Sequence, residues 1–548
     1  MTGRDDQRQD RPAGIRRDGI PAADGAGPHG LPRARVGLAV LFALLCLVFS
    51  AIPLAADLRD RPNKDYSLWY QVGEAVRKGI EIYPDPASGR LFPFMYPPSA
   101  AALLGYLSPL GKHGTTLVLV LGHSVAWLGA VLLSIHLAVG GRRDRAGNGR
   151  LGSIWGQHPL LYLAPSLCII ALIHNTYLLG QPNLALLTLL LGSFACLRRG
   201  RNGLAGVLVA TAAAIKAFPI LALGYLIYRR MWRATAATIL ALATWLLIVP
   251  LPFRTPAQAV RDVDVWARGM VFTYNSHGIA QRPYRSFSYK NQSIMAMAHR
   301  LLRDVPADGE KAITRGVETA TAAAEAAGKP LPAAQSRKAA LGRDGTFDLT
   351  AMLNAPTDTP RWDDYGPEVA ASLRSAWRVN VASLDFRAVT LITLAAMLGL
   401  SLFVLFAMPR QGARTGETDA IEFALMTLLI VMFSPLSFNY AFVWLLYPTT
   451  VAIHLALNDP SPAPWRNAER AWLAAVLLIP GLAVFAPLYA QAYGNLFIPA
   501  VLLTLGLGHR LRQIGARVPE VPSKMPHSIP ARHEAPSRAD AVQAGEAN

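Results

Sequence analysis

Three acids stand close together near the start of the chain: Asp57, Asp60 and Asp65. Asp65 opens an amphipathic segment, with Trp69, Val72 and Val76 on one face and Gln71, Glu74 and Lys78 elsewhere. A carboxylate in a partly apolar cleft has a raised pKa and can take a proton from a sugar hydroxyl, the work of a general base. The plainer use of Asp65 is to cap that helix, and spacing alone does not choose among the three acids. Lys216 lies between two apolar runs, where an ionisable group is costly and serves function by default. Its ammonium would neutralise a phosphate, unless it snorkels outward from a short helix. Arg282, Arg285 and Lys290 are cations of the same kind in a loop, where solvation alone explains most charges.

Around these charges stand groups suited to sugar hydroxyls: Tyr70 and Tyr96 among the aromatics, Gln181 and Asn183 in a Gln-Pro-Asn turn, Asn291 and Gln292, and Asn439. Capping and turn formation explain the amides nearly as well. There is no phosphate-binding glycine loop and no His/Glu cluster of zincin spacing. The cysteines, Cys46, Cys168 and Cys196, lie in apolar runs without metal-type spacing. No metal and no cofactor are expected.

The elements that must hold these residues are membrane helices. The 548 residues are 52% hydrophobic and 16% charged, and several apolar runs reach the roughly 20 residues that cross a bilayer as helix. Alternating segments of the kind a β-barrel needs are missing. The net charge of +18 sits in short loops and tails, the pattern of topology and anionic lipid, so no nucleic acid is expected. The reading is an all-α polytopic membrane protein with ten to twelve spans. Disordered tails are expected at 1–34 and 509–548, around a membrane domain at 35–508 with outer loops at 57–113 and 253–385. The segment 204–228 is basic at both ends and broken at Lys216-Ala217-Phe218-Pro219, which predicts two short helices folding back. Basic loops such as Arg142-Arg143-Asp144-Arg145 and Pro409–Arg414 belong inside, and every unusual polar cluster then falls on the outer face of a plasma membrane.

The order of clusters resembles family 87 of the glycosyltransferases. The likeness runs from Asp65, Tyr70, Gly79 and Tyr83 through Phe94-Met95-Tyr96-Pro97-Pro98 and Gly180-Gln181-Pro182-Asn183. It continues in Lys216-Ala217-Phe218-Pro219, Asn291-Gln292-Ser293 and Ser434-Pro435-Leu436-Ser437. The resemblance implies a GT-C fold and an inverting transfer of a hexose, mannose in the first instance, from a polyprenyl-phosphate donor to a lipid or glycan acceptor. It also implies that an acid of the first outer loop is the base, which aligns with Asp65. Two departures stand out. Phe438-Asn439-Tyr440 replaces an aromatic and histidines common after the serine-proline motif, and an Ala-rich stretch at 307–370 looks inserted. The rival readings are a transporter or flippase for a lipid-linked sugar, which would need polar access from both faces, and a non-catalytic assembly subunit.

Overall fold

The computed structural model describes residues 30–61, 63–85, 92, 94–140, 157–328, 366–458 and 463–516. The chain divides into two compact units, residues 1–47 and 48–548. The described part of the first is helix; it begins at Gly30, inside the segment expected to be a tail. The rest of that tail, the Arg142–Arg145 loop and the C-terminal segment beyond 516 lie outside the described residues. So does 329–365, most of the Ala-rich stretch.

The regular structure of the described chain is helical, apart from one small sheet and an isolated bridge. Among the described residues, four helices are long and apolar enough to cross a membrane: Val36–Leu58, Pro98–Val139, Phe386–Ala407 and Asn439–Leu457. A fifth span arises if the bent pair Leu160–Cys168 and Ile170–Leu179, meeting at 63°, is counted as one. The higher number expected from sequence also counted shorter apolar helices, among them Asn183–Arg198 and Asn202–Ile215. The protein is an all-α membrane protein.

Helix α1 (Gly30–Leu58) is followed by α2 (Asp65–Arg77). Its Tyr66, Trp69, Val72, Gly73 and Val76 are buried, the i, i+3, i+4, i+7 stripe of an amphipathic helix. It ends where Gly79 takes φ 73°, with Gly79 N–H donating to Val76 O and Ile80 N–H to Ala75 O. That 5→2 and 6→1 pair is a Schellman stop, which glycine permits without a Cβ penalty. Helix α3 (Pro98–Leu107) falls within the stretch 57–113 that the sequence suggested was loop. Pro at its first position and an uninterrupted apolar run favour helix there. A Cβ on Gly73 would meet Leu104 O at 2.4 Å, so α2 lies directly on the α3 backbone.

Helix α4 (Gly111–Val139) packs on α7 (Asn183–Arg198). Between them stand α5 (Leu160–Cys168) and α6 (Ile170–Leu179). Helix α8 (Asn202–Ile215) stops at Lys216, whose backbone is extended at φ −152°, ψ 124°. A 3-10 turn, Phe218–Leu221, and α9 (Ala222–Tyr228) follow. Pro219 sits in that turn and cannot extend the α8 ladder. The chain therefore breaks where the sequence indicated, at Lys216-Ala217.

After α10 (Trp232–Ala243) and α11 (Pro256–Met270), the long loop folds into three two-residue antiparallel strands: Tyr274–Asn275, Gly278–Ile279 and Arg282–Pro283. Strands this short carry no period a sequence reading can detect. Then come α12 (Ile294–Leu302) and α13 (Gly309–Ala326), which packs on the helix Gly366–Arg374.

Candidate active site

The three acids separate at once. Asp57 Oδ2 lies 2.6 Å from His113 Nδ1, and Asp60 accepts from Lys112 Nζ at 2.7 Å. Both are tied to the start of α4, and the Lys112 hydrogen bond holds the Asp60 carboxyl below its ordinary range. Asp65 is the first residue of α2, and the capping position is Lys64, which makes no side-chain cap bond. The carboxylate instead turns to the α6–α7 turn, where Gln181 Nε2 donates to Asp65 Oδ2. Among the described residues, Oδ1 takes no hydrogen bond.

Gln181 is locked from both ends, because its Oε1 accepts from Tyr96 OH at 2.7 Å. Two residues on, Asn183 Oδ1 accepts from Lys216 Nζ at 3.3 Å. The ammonium also stands 5.5 Å from the Tyr96 ring centroid, 5.6 Å from Phe218 and 5.4 Å from Tyr440, a cation held over aromatic faces. A closed circuit results, from Gln181 to Tyr96, Lys216 and Asn183 and back through Pro182, with Asp65 joined to it at Gln181. Residues that are far apart in sequence meet because each sits at a helix end. Asp65 and Asn183 open α2 and α7, Lys216 closes α8, and Tyr96 precedes α3.

Neighbouring packing fixes the circuit. Tyr66 OH donates to Tyr177 O at 2.7 Å and Trp69 Nε1 to Gly180 O at 2.9 Å; both anchor α2 to the turn that carries Gln181. Gly180 adopts φ 70°, the left-handed conformation that ends α6. Trp69 stacks edge-on to Tyr96 at 4.9 Å. Burial raises the Asp65 pKa above the usual carboxylate value; the Gln181 hydrogen bond and the charges of Arg285, Lys216 and Arg282 oppose that rise. Among the described residues, no carboxylate lies within ion-pair range of Lys216.

The circuit borders a cavity of about 310 Å3, at the small end of the roughly 300–1,000 Å3 usual for ligand sites. Tyr96 and Lys216 supply its polar edge. Phe218, Trp266, Met270 and Phe438 are among its apolar walls, with Trp266 pinned by a 3.0 Å bond from Nε1 to Met95 O. Asp65 reaches Tyr96 through Gln181 and is not part of the lining.

The other sequence candidates fall into two groups. Asn291 and Gln292 are fully buried and act on backbone. Asn291 Nδ2 donates to Ser286 O (2.7 Å) and Pro435 O (2.9 Å), and Gln292 Nε2 to Tyr289 O (2.7 Å) and Gln491 O (2.6 Å). Asn291 pairs with Phe438 in an antiparallel bridge, flanked by Gln292 N–H on Ser437 O and Asn439 N–H on Lys290 O. The loop 286–293 is thereby joined to the break at 434–440, and Arg300 braces it with bonds to Ser288 O, Asn291 O and Ala492 O. Asn439 spends its Oδ1 on the Tyr440 N–H. Arg285 and Lys290 lie on this joined loop, both within reach of Glu310. Tyr70 is half-buried on α2, and its side chain makes no hydrogen bond among the described residues. Tyr440 and Glu310 were not among the candidates drawn from sequence. Tyr440 stood beside Asn439 in a quoted motif, whereas nothing local marks Glu310. Among the described residues, no group of three or more His, Cys, Asp or Glu could hold a metal ion.

The family model described as glycosyltransferase family 87 matches residues 94–342. That range contains Tyr96, Gln181, Asn183, Lys216, Arg285, Lys290, Asn291 and Gln292; Asp65, Tyr70 and Asn439 lie outside it. No curated protein and no solved structure matches the chain.

Proposed function

We propose that the chain, which the model of glycosyltransferase family 87 matches over residues 94–342, is a membrane glycosyltransferase that transfers a hexose, mannose first among the candidates, from a polyprenyl-phosphate donor. The acceptor is a lipid or glycan at the outer face of the plasma membrane. The observation that carries this reading is the circuit of Asp65, Gln181, Tyr96, Asn183 and Lys216 at the edge of an apolar cavity. An acid and a cation, held apart and linked through an amide and a phenol, suit a reaction that removes a proton at one end and releases a phosphate at the other.

In this scheme the acceptor hydroxyl attacks the anomeric carbon as the bond from that carbon to the phosphate oxygen breaks. The electron pair leaves with the polyprenyl phosphate, and the hydroxyl proton passes to Asp65 Oδ1. Gln181 orients the carboxylate by holding Oδ2. Lys216 meets the growing phosphate charge from one side, with Arg285 and Lys290 on the joined loop. Phe218, Trp266 and Phe438 take the first units of the lipid. Tyr70, Asn183, Asn291, Gln292 and Asn439 are the remaining substrate-facing candidates, of which Asn291 and Gln292 act by shaping the loop.

The test is transfer by detergent-purified protein offered a panel of polyprenyl-phosphate sugars with membrane lipid extract. Product with inverted anomeric configuration from one donor is the expected result. Turnover of a nucleotide sugar instead would overturn the donor class. The outward orientation is tested separately. A single cysteine at Ala413, with the native three replaced, should stay unlabelled by an impermeant reagent in intact cells.

A further inference from the structure

Arg285 and Lys290 are already occupied by an anion. Glu310 Oε1 lies 3.4 Å from Arg285 Nε, and its Oε2 lies 3.9 Å from Lys290 Nζ, so one carboxylate spans both cations. Glu310 stands in the first turn of α13, where unpaired N–H groups and the helix dipole favour negative charge. Lys311 beside it lies 5.7 Å from the Tyr289 ring centroid, the ring that Lys290 also approaches at 5.9 Å. The three side chains of the ion pairs are 45%, 45% and 37% exposed. Such contacts are weak and break without leaving a buried charge. The guanidinium of Arg285 also stands 5.7 Å from the Phe438 ring centroid, and Phe438 is a wall of the cavity. The carboxylate therefore pairs with a cation, Arg285, that stands against a wall residue of the cavity.

We propose that Glu310 is an internal competitor for the phosphate, holding the Arg285–Lys290 pair between turnovers, yielding it to the donor and reclaiming it as polyprenyl phosphate leaves. The proposal rests on the reading above that these two cations meet the donor's phosphate. Its chemical sense lies in the charges. The donor's phosphodiester carries one negative charge, whereas the product monoester, with a second pKa near about 6, carries nearly two at neutral pH. An undefended cation pair would hold product more tightly than donor. A tethered carboxylate weakens both and speeds the departure of the one that must leave.

The experiment measures binding of a polyprenyl monophosphate to the full-length protein in detergent micelles, alongside steady-state transfer. Glu310→Gln keeps the shape and removes the charge. It is expected to lower the Kd for polyprenyl monophosphate about two- to fivefold, the scale of an exposed ion pair. Donor KM should fall with it, and inhibition by product should strengthen more than KM falls. In an R285Q/K290Q background, E310Q should have no effect on binding. If R285Q/K290Q weakens binding while E310Q alone changes nothing, the competitor role is overturned and the phosphate site stands. If R285Q/K290Q leaves binding unchanged, the phosphate reading beneath the proposal fails.

Discussion

Two of the charged clusters in this molecule are built on opposite rules. At the junction of α9 with the helix Gly416–Phe433, Glu422 is 0% exposed and Arg229 is 6% exposed. Arg229 holds both carboxylate oxygens, Tyr225 OH donates to the same acid at 3.0 Å, and the spare guanidinium N–H finds Pro409 O at 3.1 Å. Every strong group there is answered by its complement. In the Asp65–Lys216 circuit the acid is answered by an amide and the cation by an amide oxygen and aromatic rings. A buried pair so complete is an anchor, since breaking it strands a charge. An acid and a cation, each half-buried and kept apart, are incomplete in a way that a proton and a phosphate could complete.

Asp65→Asn gives the sharpest break of this contrast. The variant keeps the shape and the link to Gln181, folds, and is expected to lose about 10²–10⁴-fold in turnover, the usual worth of a positioned base. Asp60→Asn, assayed beside it, should be mild. An essential Asp60 with a dispensable Asp65 would move the base and leave the reaction class intact.

Glu422→Gln should do the reverse. Stranding Arg229 costs about 3–5 kcal/mol of stability, read as a lower melting temperature in detergent, while turnover per folded molecule holds. Normal stability would remove the anchor from the comparison.

Lys216→Met comes next in size. Losing a charge-assisted contact of about 1.5–3 kcal/mol should raise donor KM about tenfold or more. Thermal stability should hold, because no buried charge is left behind. Unchanged kinetics would return Lys216 to a snorkelling role.

The smallest effect is a shift in pH dependence. Burial raises the Asp65 pKa, and with Asp65 as the proposed base the active form is the carboxylate. Activity is therefore present above that pKa and lost as pH falls through it, with the acid limb of kcat/KM above the ordinary carboxylate value. Arg285 opposes the rise, so Arg285→Gln should move the limb further up in pH. A downward move would contradict the placement of that charge.

Much of this was legible in the sequence, and what was hidden has a common cause. Apolar runs announced membrane helices, because bilayer thickness imposes a length that composition reveals. The break at Lys216 was announced by Pro219, a local signal. The choice among Asp57, Asp60 and Asp65 was not legible, since it depends on His113 and Lys112, half a hundred residues away on another helix. Asn291 and Gln292 read as hydroxyl ligands because amides suit sugars, yet their N–H groups are taken by backbone carbonyls of remote segments. Glu310 belongs to the same class: its meaning comes from Arg285 and Lys290. Local chemistry was readable and long-range pairing was not. The Pro98–Leu107 helix falls in a stretch read as outer loop, where Pro98 at the first position is a helix start.

The bare contact at Gly73 has a consequence for how the site is kept ready. With no side chain between α2 and Leu104 O, the two helices touch through backbone, the least deformable part of the chain. Asp65 begins one of them and Tyr96 stands just ahead of the other, so carboxyl and phenol cannot drift apart without separating two packed backbones. Their alignment is a property of the folded frame rather than of rotamer choice, and the entropy of arranging them is lost once, during folding, instead of at every encounter with substrate.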